Sequence, residues 1–292
     1  MKRLTLNEYL REQFSCKVYK LSIEGGFSCP NRDGTVGTGG CIFCSGVGSG
    51  DFAVKATGMT VTKQIEEAKS KVSKKIGEDG KYIAYFQSFT NTYGPIDVLR
   101  AKFTEAISHP DVVAVSIATR PDCLPDEVLD LLEELNHIKP VWVELGLQTI
   151  HASSAEYIRR GYDLPVYDQA MASLKKRGLY TIVHVIIGLP QETKAMMLET
   201  VDYVAKSGAD GIKLQLLHVL RGTDLAKDYE AGLFEALSLE EYVDIIVQCD
   251  KLLPENIIIH RMTGDGAKKD LIAPLWSANK KMVLNTLNKA LQ

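Results

Sequence analysis

Cys29, Cys41 and Cys44 fall in one glycine-rich stretch, Cys29-Pro-Asn-Arg-Asp-Gly-Thr-Val-Gly-Thr-Gly-Gly-Cys41-Ile-Phe-Cys44. A structural zinc is normally closed by four protein ligands, so three thiolates describe a site left open for something else. An iron–sulfur cubane held by three cysteines keeps one iron free for a substrate or cofactor. A zinc site completed by a fourth ligand from elsewhere in the fold is the alternative. Met1-Lys2-Arg3 is followed by Asn7, Glu8, Arg11 and Glu12 rather than by the apolar stretch of an export signal. The thiols are therefore expected to stay reduced, and a disulfide is the weakest reading.

Side chains that do chemistry must be held in place. Apolar, β-branched runs begin near Val18, Tyr82, Val112, Val141, Thr181 and Gly211, with segments of helical period between them. Most successive starts from Tyr82 on are about 30 residues apart, the length of a strand–helix–strand unit in a parallel sheet. Six such strands fall short of the eight of a closed barrel. The pattern predicts an α/β fold: an open, partial (β/α)6 barrel over residues 1–217, with residues 218–292 as a C-terminal extension packed on the substrate side. Thr62 is placed as the cap of a helix through Lys75, Pro125 at a helix start, Gly178 and Gly208 after helix ends, and Trp276 to Gln292 as an amphipathic helix.

In barrels of this kind the chemistry sits at the C-terminal ends of the strands, and the cysteine loop follows the first strand. After the second strand, Gln87, Ser88, Thr90 and Asn91 offer carbonyl and hydroxyl acceptors, or simply make a solvated turn. Arg120 ends the third and can clamp a carboxylate or phosphate, or pair with Asp122. On the fourth, Glu144, Gly146 and Gln148 share one face and point into the mouth, where a buried glutamate needs a partner. On the fifth, His184 reads as a core histidine and Gly188 permits close approach of a ligand. Lys213, sharing a face with Gln215, needs Glu144 or a substrate anion as partner. Arg261, ending the run Ile257-Ile-Ile-His260-Arg261 before Thr263-Gly264-Asp265, is a substrate-contact candidate. Cys123 and Cys249 read as apolar filler, and Cys16 as a thiol that could add a ligand.

The chain has 292 residues, 45% of them apolar, and a net charge of -3, which gives no general attraction to nucleic acid. Lys63, Lys69, Lys71, Lys74, Lys75 and Lys81 make a basic helix face that could meet phosphates. Glu66, Glu67, Glu78 and Asp79 interrupt it, and a solvated face is the plain alternative. No run reaches membrane-spanning length, so a soluble, cytoplasmic protein is expected.

Taken in order, these pieces resemble the radical S-adenosylmethionine (radical SAM) enzymes, in particular the subgroup similar to the radical-SAM subunit of Elongator. The resemblance rests on a wide gap before the closing cysteine pair, aromatic Phe43 before the last cysteine, Arg120-Pro121-Asp122 at a strand end, and Gln148 followed twelve residues later by Arg160. A Gly-Gly-Glu segment common after the second strand is missing. The resemblance implies that Cys29, Cys41 and Cys44 hold a [4Fe-4S] cluster whose free iron takes S-adenosyl-L-methionine (SAM). It further implies that Gln87, Ser88, Thr90 and Asn91 replace the missing segment near the SAM amino group. Gln148 and Arg160 approach the ribose and carboxylate, Gly188 lies against the adenine, and Glu144 completes the cofactor set. Arg120, Lys213 and Arg261 are left for the substrate. Glycines 37, 39, 40, 46, 48 and 50 let the backbone fold over the cluster, or make a flexible loop.

A reducing partner such as flavodoxin or ferredoxin is implied, with a 5'-deoxyadenosyl radical that takes hydrogen from the substrate. Relatives that act on tRNA suggest processing of the 5-carboxymethylaminomethyl group of the wobble uridine. No separate acetyltransferase domain is expected, which sets the transferase half of the Elongator chemistry aside. Two alternatives stand: a radical SAM enzyme for a small metabolite or protein side chain, and a non-catalytic zinc or iron–sulfur module that binds nucleic acid.

Overall fold

Each apolar run becomes a strand within a residue of its expected start: β1 (Val18–Ile23), β2 (Lys81–Phe86), β3 (Val112–Thr119), β4 (Val141–Gln148), β5 (Tyr180–Ile187) and β6 (Gly211–Leu216). Helix α1 (Leu6–Phe14) precedes them, and α2 (Val61–Ile76), α3 (Ile96–Ser108), α4 (Asp126–Asn136), α5 (Ala152–Tyr157), α6 (Leu164–Lys176) and α7 (Lys194–Lys206) link them. The C-terminal part holds β7 (Val219–Leu220), α8 (Asp224–Glu230), α9 (Leu239–Leu252), β8 (Ile258–Arg261), β9 (Leu271–Ala273) and α10 (Lys280–Ala290). The computed structural model describes residues 4–46, 48, 53–77, 79–264 and 266–292, so Met1-Lys2-Arg3, Gly50, Glu78 and Asp265 named above lie outside the described residues.

The main sheet has the order β1-β2-β3-β4-β5-β6-β8, every neighbouring pair parallel, and curls into an open half-barrel. It therefore carries a seventh parallel strand where the sequence suggested six. The apolar run ending at Arg261 does not stay in an extension but pairs with β6 and covers its edge, which would otherwise expose unpaired backbone groups. Gly211 makes this possible, since a Cβ there would stand 2.5 Å from Cδ2 of His260. The His260 ring lies 5.5 Å from Trp142 and 5.9 Å from Tyr180, edge-on to the indole.

Two helix boundaries differ from the sequence reading. Thr60, not Thr62, caps α2 by accepting from the Lys63 N–H, because Thr60 is still extended (φ -70°) while Thr62 is already helical and donates its N–H to Glu105 at 2.7 Å. Trp276 lies in a short 3-10 turn, and α10 begins after Asn279, whose side chain accepts from the Met282 N–H.

Strand alternation sorts the side chains into two faces. One face, with Leu21, Phe86, Ile117, Leu145, Val185 and Leu214, packs against the helices through Ile65, Phe103, Leu132, Tyr167, Val201 and Ile246 to form the main core. The other face looks into the half-barrel and changes character in steps of two residues. Its lowest layer, Val18, Ile83, Ala114, Trp142 and Ile182, is an apolar plug closed by Leu10 of α1. Two residues further along the same strands come Lys20, Tyr85, Ser116, Glu144, His184 and Lys213. Two further still, Gln87, Ala118, Gly146, Ile186 and Gln215 line a cavity.

Replacing Gly211 with Ala is expected to destabilise the protein by about 1–3 kcal/mol, because the methyl group overpacks the β6–β8 seam. Urea unfolding measures this; an unchanged midpoint would mean that His260 yields freely.

Candidate functional site

The cavity, about 240 Å³, opens at the C-terminal ends of the strands. Cys29, Cys41 and Cys44 all line it, together with Phe43, Arg32 and Phe89. Their loop is held by its own backbone: Val36 N–H donates to the Pro30 carbonyl at 2.8 Å and Gly40 N–H to that of Asn31 at 2.7 Å. Gly40 sits at φ +83°, where an L side chain is strained, and a Cβ on it would stand 2.8 Å from Nε of Arg32. The Arg32 guanidinium crosses this gap and donates to the carbonyls of Cys44 (3.1 Å) and Ser45 (2.7 Å). Asn31 donates to Cys41 Sγ at 3.5 Å and also to the Arg159 carbonyl. Ile42 N–H donates to the Ile158 carbonyl at 3.2 Å, tying the loop to the barrel rim.

Beneath the cavity the charged layer is organised by one carboxylate. Glu144 is fully buried, and its Oε1 accepts from Lys20 Nζ at 2.6 Å and Ser116 Oγ at 2.6 Å. Its Oε2 accepts from His184 Nε2 at 2.7 Å and from Lys213. Burial opposes the charge on Glu144, but the ammonium groups of Lys20 and Lys213 outweigh it and hold the carboxyl well below its usual range. Burial pushes Lys213 down to about 7 despite Glu144, with Lys20 and Arg261 adding to the push. Burial and then Lys213 lower His184 to about 4, so its imidazole is neutral near pH 7 and donates from Nε2. Lys213 is also 3.3 Å from the Tyr85 hydroxyl, and the ammonium groups of Lys20 and Lys213 lie 4.7 and 4.5 Å from the Tyr85 ring centroid.

Of the residues singled out in the sequence, Gln87, Thr90, Arg120, Glu144, Gln148, Arg160, Lys213 and Arg261 line the cavity with the cysteines. Ser88, Asn91 and Gly188 do not. Asn91 spends its amide on the carbonyls of Phe86, Ser88 and Ala118 at 3.0–3.1 Å, joining the ends of β2 and β3. Ser88 is buried. Gly188, at φ +94°, faces Leu237, 3.0 Å from where its Cβ would be. Arg120 takes up its plain alternative, a two-pronged pair with Asp122 at 2.9 and 2.7 Å, and donates to the Arg160 carbonyl at 2.8 Å. Arg160 donates to the carbonyls of Leu147, Thr149 and Tyr162 and stacks 4.4 Å over the Tyr162 ring. Both arginines thus shape the wall, with most of their donors committed to protein.

Lys20, Tyr85 and Tyr162 were not legible as site residues. Lys20 gave the same signal as Lys213, a lysine on the inward face of an apolar strand. Tyr162 follows Gly161 without any periodicity, and its hydroxyl donates to the Gly146 carbonyl. The lysines of α2 and the start of β2 behave as a solvated face: Lys69 pairs with Glu66 and Asp111, Lys71 with Glu67, and Lys81, the first residue of β2, with Asp111. Lys74 and Lys75 end α2 just before β2, a strand's length of about 20 Å from the mouth. Cys123 and Cys249 are buried in the core, and Cys16 packs beneath the barrel, away from the cavity.

The residues suit an iron–sulfur cluster with SAM on its open iron. Three thiols face one cavity, a donor set one short of saturating a cubane. Beside them, Gln148 Oε1 and Ser45 Oγ are buried polar atoms without a partner among the described residues. Such atoms are uncommon unless a ligand or water completes them. Gln148 moreover stands at φ +71°, a conformation costly for a side chain with a Cβ and characteristic of binding sites. Gly146 leaves it room, since a Cβ there would come within 2.9 Å of Gln148 Nε2.

Comparison with known proteins finds a family model, relatives and a shared fold. Residues 32–204 match the family model described as Radical SAM superfamily, and residues 209–292 match the Radical_SAM C-terminal domain. The Bacillus subtilis protein YtqA is 50% identical over 288 residues, 99% of this chain and 89% of that protein. A tRNA uridine(34) acetyltransferase of Methanocaldococcus jannaschii is 27% identical over 167 residues, 56% of this chain but 30% of that protein. Among solved structures, the Elp3 of Methanocaldococcus infernus superposes with a TM-score of 0.68 at 17% identity, covering 94% of this chain and 64% of that one. Among the described residues no helix is long and apolar enough to cross a membrane.

Replacing Glu144 with Gln leaves the buried ammonium groups uncompensated and is expected to cost about 3–5 kcal/mol in urea unfolding. His184 adds a pH dependence. Between its ordinary value near 6.5 and about 4, the unfolded chain binds a proton that the folded chain refuses, so stability falls as pH falls through that window. His184→Gln should flatten this decline. Gln148→Ala removes the unpartnered acceptor from the wall and should weaken SAM binding about 5–30-fold, read by equilibrium dialysis, while thermal stability holds.

Proposed function

Because the chain belongs to the radical SAM superfamily, we propose that its cavity processes the 5-carboxymethylaminomethyl group of the wobble uridine in tRNA. It is a radical SAM enzyme, and its cofactors are a [4Fe-4S] cluster and S-adenosyl-L-methionine. Bound there, they supply a 5'-deoxyadenosyl radical for hydrogen abstraction. Cys29, Cys41 and Cys44 would hold the cluster, and Gln148 and Ser45 would offer acceptors to SAM. Arg32 and Phe89 line the cavity beside the thiols, with the guanidinium 5.5 Å from the ring centroid.

The charge of the cavity floor carries the substrate reading. Lys20 and Lys213 both partner a single buried carboxylate, Glu144. Surplus positive charge in a buried layer favours an entering anion, and the carboxymethylaminomethyl group ends in a carboxylate. Lys213, held down to about 7, regains its proton readily when such a group arrives. Likeness to the tRNA uridine(34) acetyltransferase over 56% of the chain supports a uridine substrate, and the fold shared with Elp3 is compatible with it.

Incubating the reconstituted enzyme with SAM, a reductant and tRNA, then digesting to nucleosides for mass spectrometry, tests the proposal. 5-Carboxymethylaminomethyluridine should disappear as 5'-deoxyadenosine forms, and Lys213→Met should lower kcat/KM about 10–150-fold. Unchanged nucleosides, with SAM cleavage indifferent to tRNA, would favour a carboxylate-bearing small metabolite instead.

A further inference from the structure

We propose that Arg221, Lys268 and Lys269 form the rim on which the RNA sugar–phosphate backbone lies while one nucleotide enters the cavity. This rests on the tRNA reading above. At about 240 Å³ the cavity admits a small group and not a folded macromolecule, so a polymeric substrate must put its reacting residue inside and leave its backbone at the mouth.

Leu220 and Gly266 line the cavity, so Arg221 and Lys268 stand one and two residues from its wall. The ribbon of β7 and β9 brings the three cations together: Leu220 pairs with Leu271, Arg221 N–H donates to the Asp270 carbonyl at 2.7 Å, and Asp270 N–H donates to that of Ala267 at 2.9 Å. Gly264 presses on His218, 2.6 Å from where its Cβ would be, which seats the loop firmly against the barrel. All three cations are exposed, and Arg221 and Lys268 have no carboxylate partner among the described residues. Lys269, 85% exposed, has Asp270 at 3.9 Å, a loose contact of little energetic weight. On α2, by contrast, Lys69 and Lys71 are paired with carboxylates, and Lys74 and Lys75 lie at the opposite end of the barrel. Exposed, uncompensated cations beside a small opening are what phosphate contacts require.

The test compares the reconstituted wild type with Arg221→Glu/Lys268→Glu/Lys269→Glu and with the α2 control Lys71→Glu/Lys74→Glu/Lys75→Glu, titrating tRNA across a salt series. The rim variant should bind tRNA about 10–100-fold more weakly, with a salt slope smaller by about 2–3. Its melting temperature and its dithionite-driven, RNA-free SAM cleavage should match the wild type, and the α2 control should bind normally. A rim variant that binds like a tRNA-binding wild type would overturn the rim while leaving the tRNA reading intact. A wild type that binds no tRNA would overturn both. If the rim variant binds tRNA normally but loses SAM cleavage driven by reduced flavodoxin, the rim serves an acidic protein donor and the inference fails.

Discussion

A single buried carboxylate sets the geometry of this half-barrel. Glu144 lies on β4, the central strand, and accepts from β1, β3, β5 and β6 through Lys20, Ser116, His184 and Lys213. An isolated buried charge would be prohibitive, and an incomplete set of partners would be worse than an apolar layer. With all four donors in place, the inward faces of four strands are fixed in register and height. The apolar plug below and the cavity lining above each lie two residues from this layer, so their positions follow from it.

The layer also explains why the site can be demanding. Lys213 and Arg261 reach the cavity from a floor that is rigid because Lys213 is tied to Glu144. The wall is built by similar means: Arg120 and Arg160 donate to Asp122 and to backbone carbonyls, so the strand ends that present Gln148 are braced. The cysteine loop is then the main irregular element. It depends on glycine at position 40 and on the Arg32 side chain that fills the space a Cβ would take. Of the buried polar atoms left without a partner among the described residues, Gln148 Oε1 and Ser45 Oγ belong to residues that line the cavity where a cofactor belongs.

Much of this was legible in the chain. Strand starts could be read because β-branched runs recur at nearly constant spacing. Glu144 and Lys213 could be matched because each buried charge demands an opposite one. Lys20 makes the same demand, but it lies on β1, the edge strand of the sheet, where sequence alone does not separate an inward lysine from one in water. The seventh strand could be seen as an apolar run but not placed, because parallel pairing joins segments distant in sequence and depends here on a missing Cβ at Gly211. Ser88 and Asn91 show the limit of residue type: a short polar side chain after a strand serves a ligand or the backbone equally well, and here the Asn91 amide nitrogen donates to the backbone while Asn91 Oδ1 and Ser88 Oγ have no partner among the described residues. Arg160 lines the cavity as the family resemblance implied, yet its donors are mostly taken by carbonyls that no sequence pattern announces.

The most direct measurement is formation of 5'-deoxyadenosine by the anaerobically reconstituted protein with SAM and dithionite, with and without tRNA, beside a Cys44→Ala variant. The account predicts an iron-loaded wild type that forms 5'-deoxyadenosine faster when tRNA is present, and a variant that forms none. A colourless protein that takes up zinc and leaves SAM intact would contradict it.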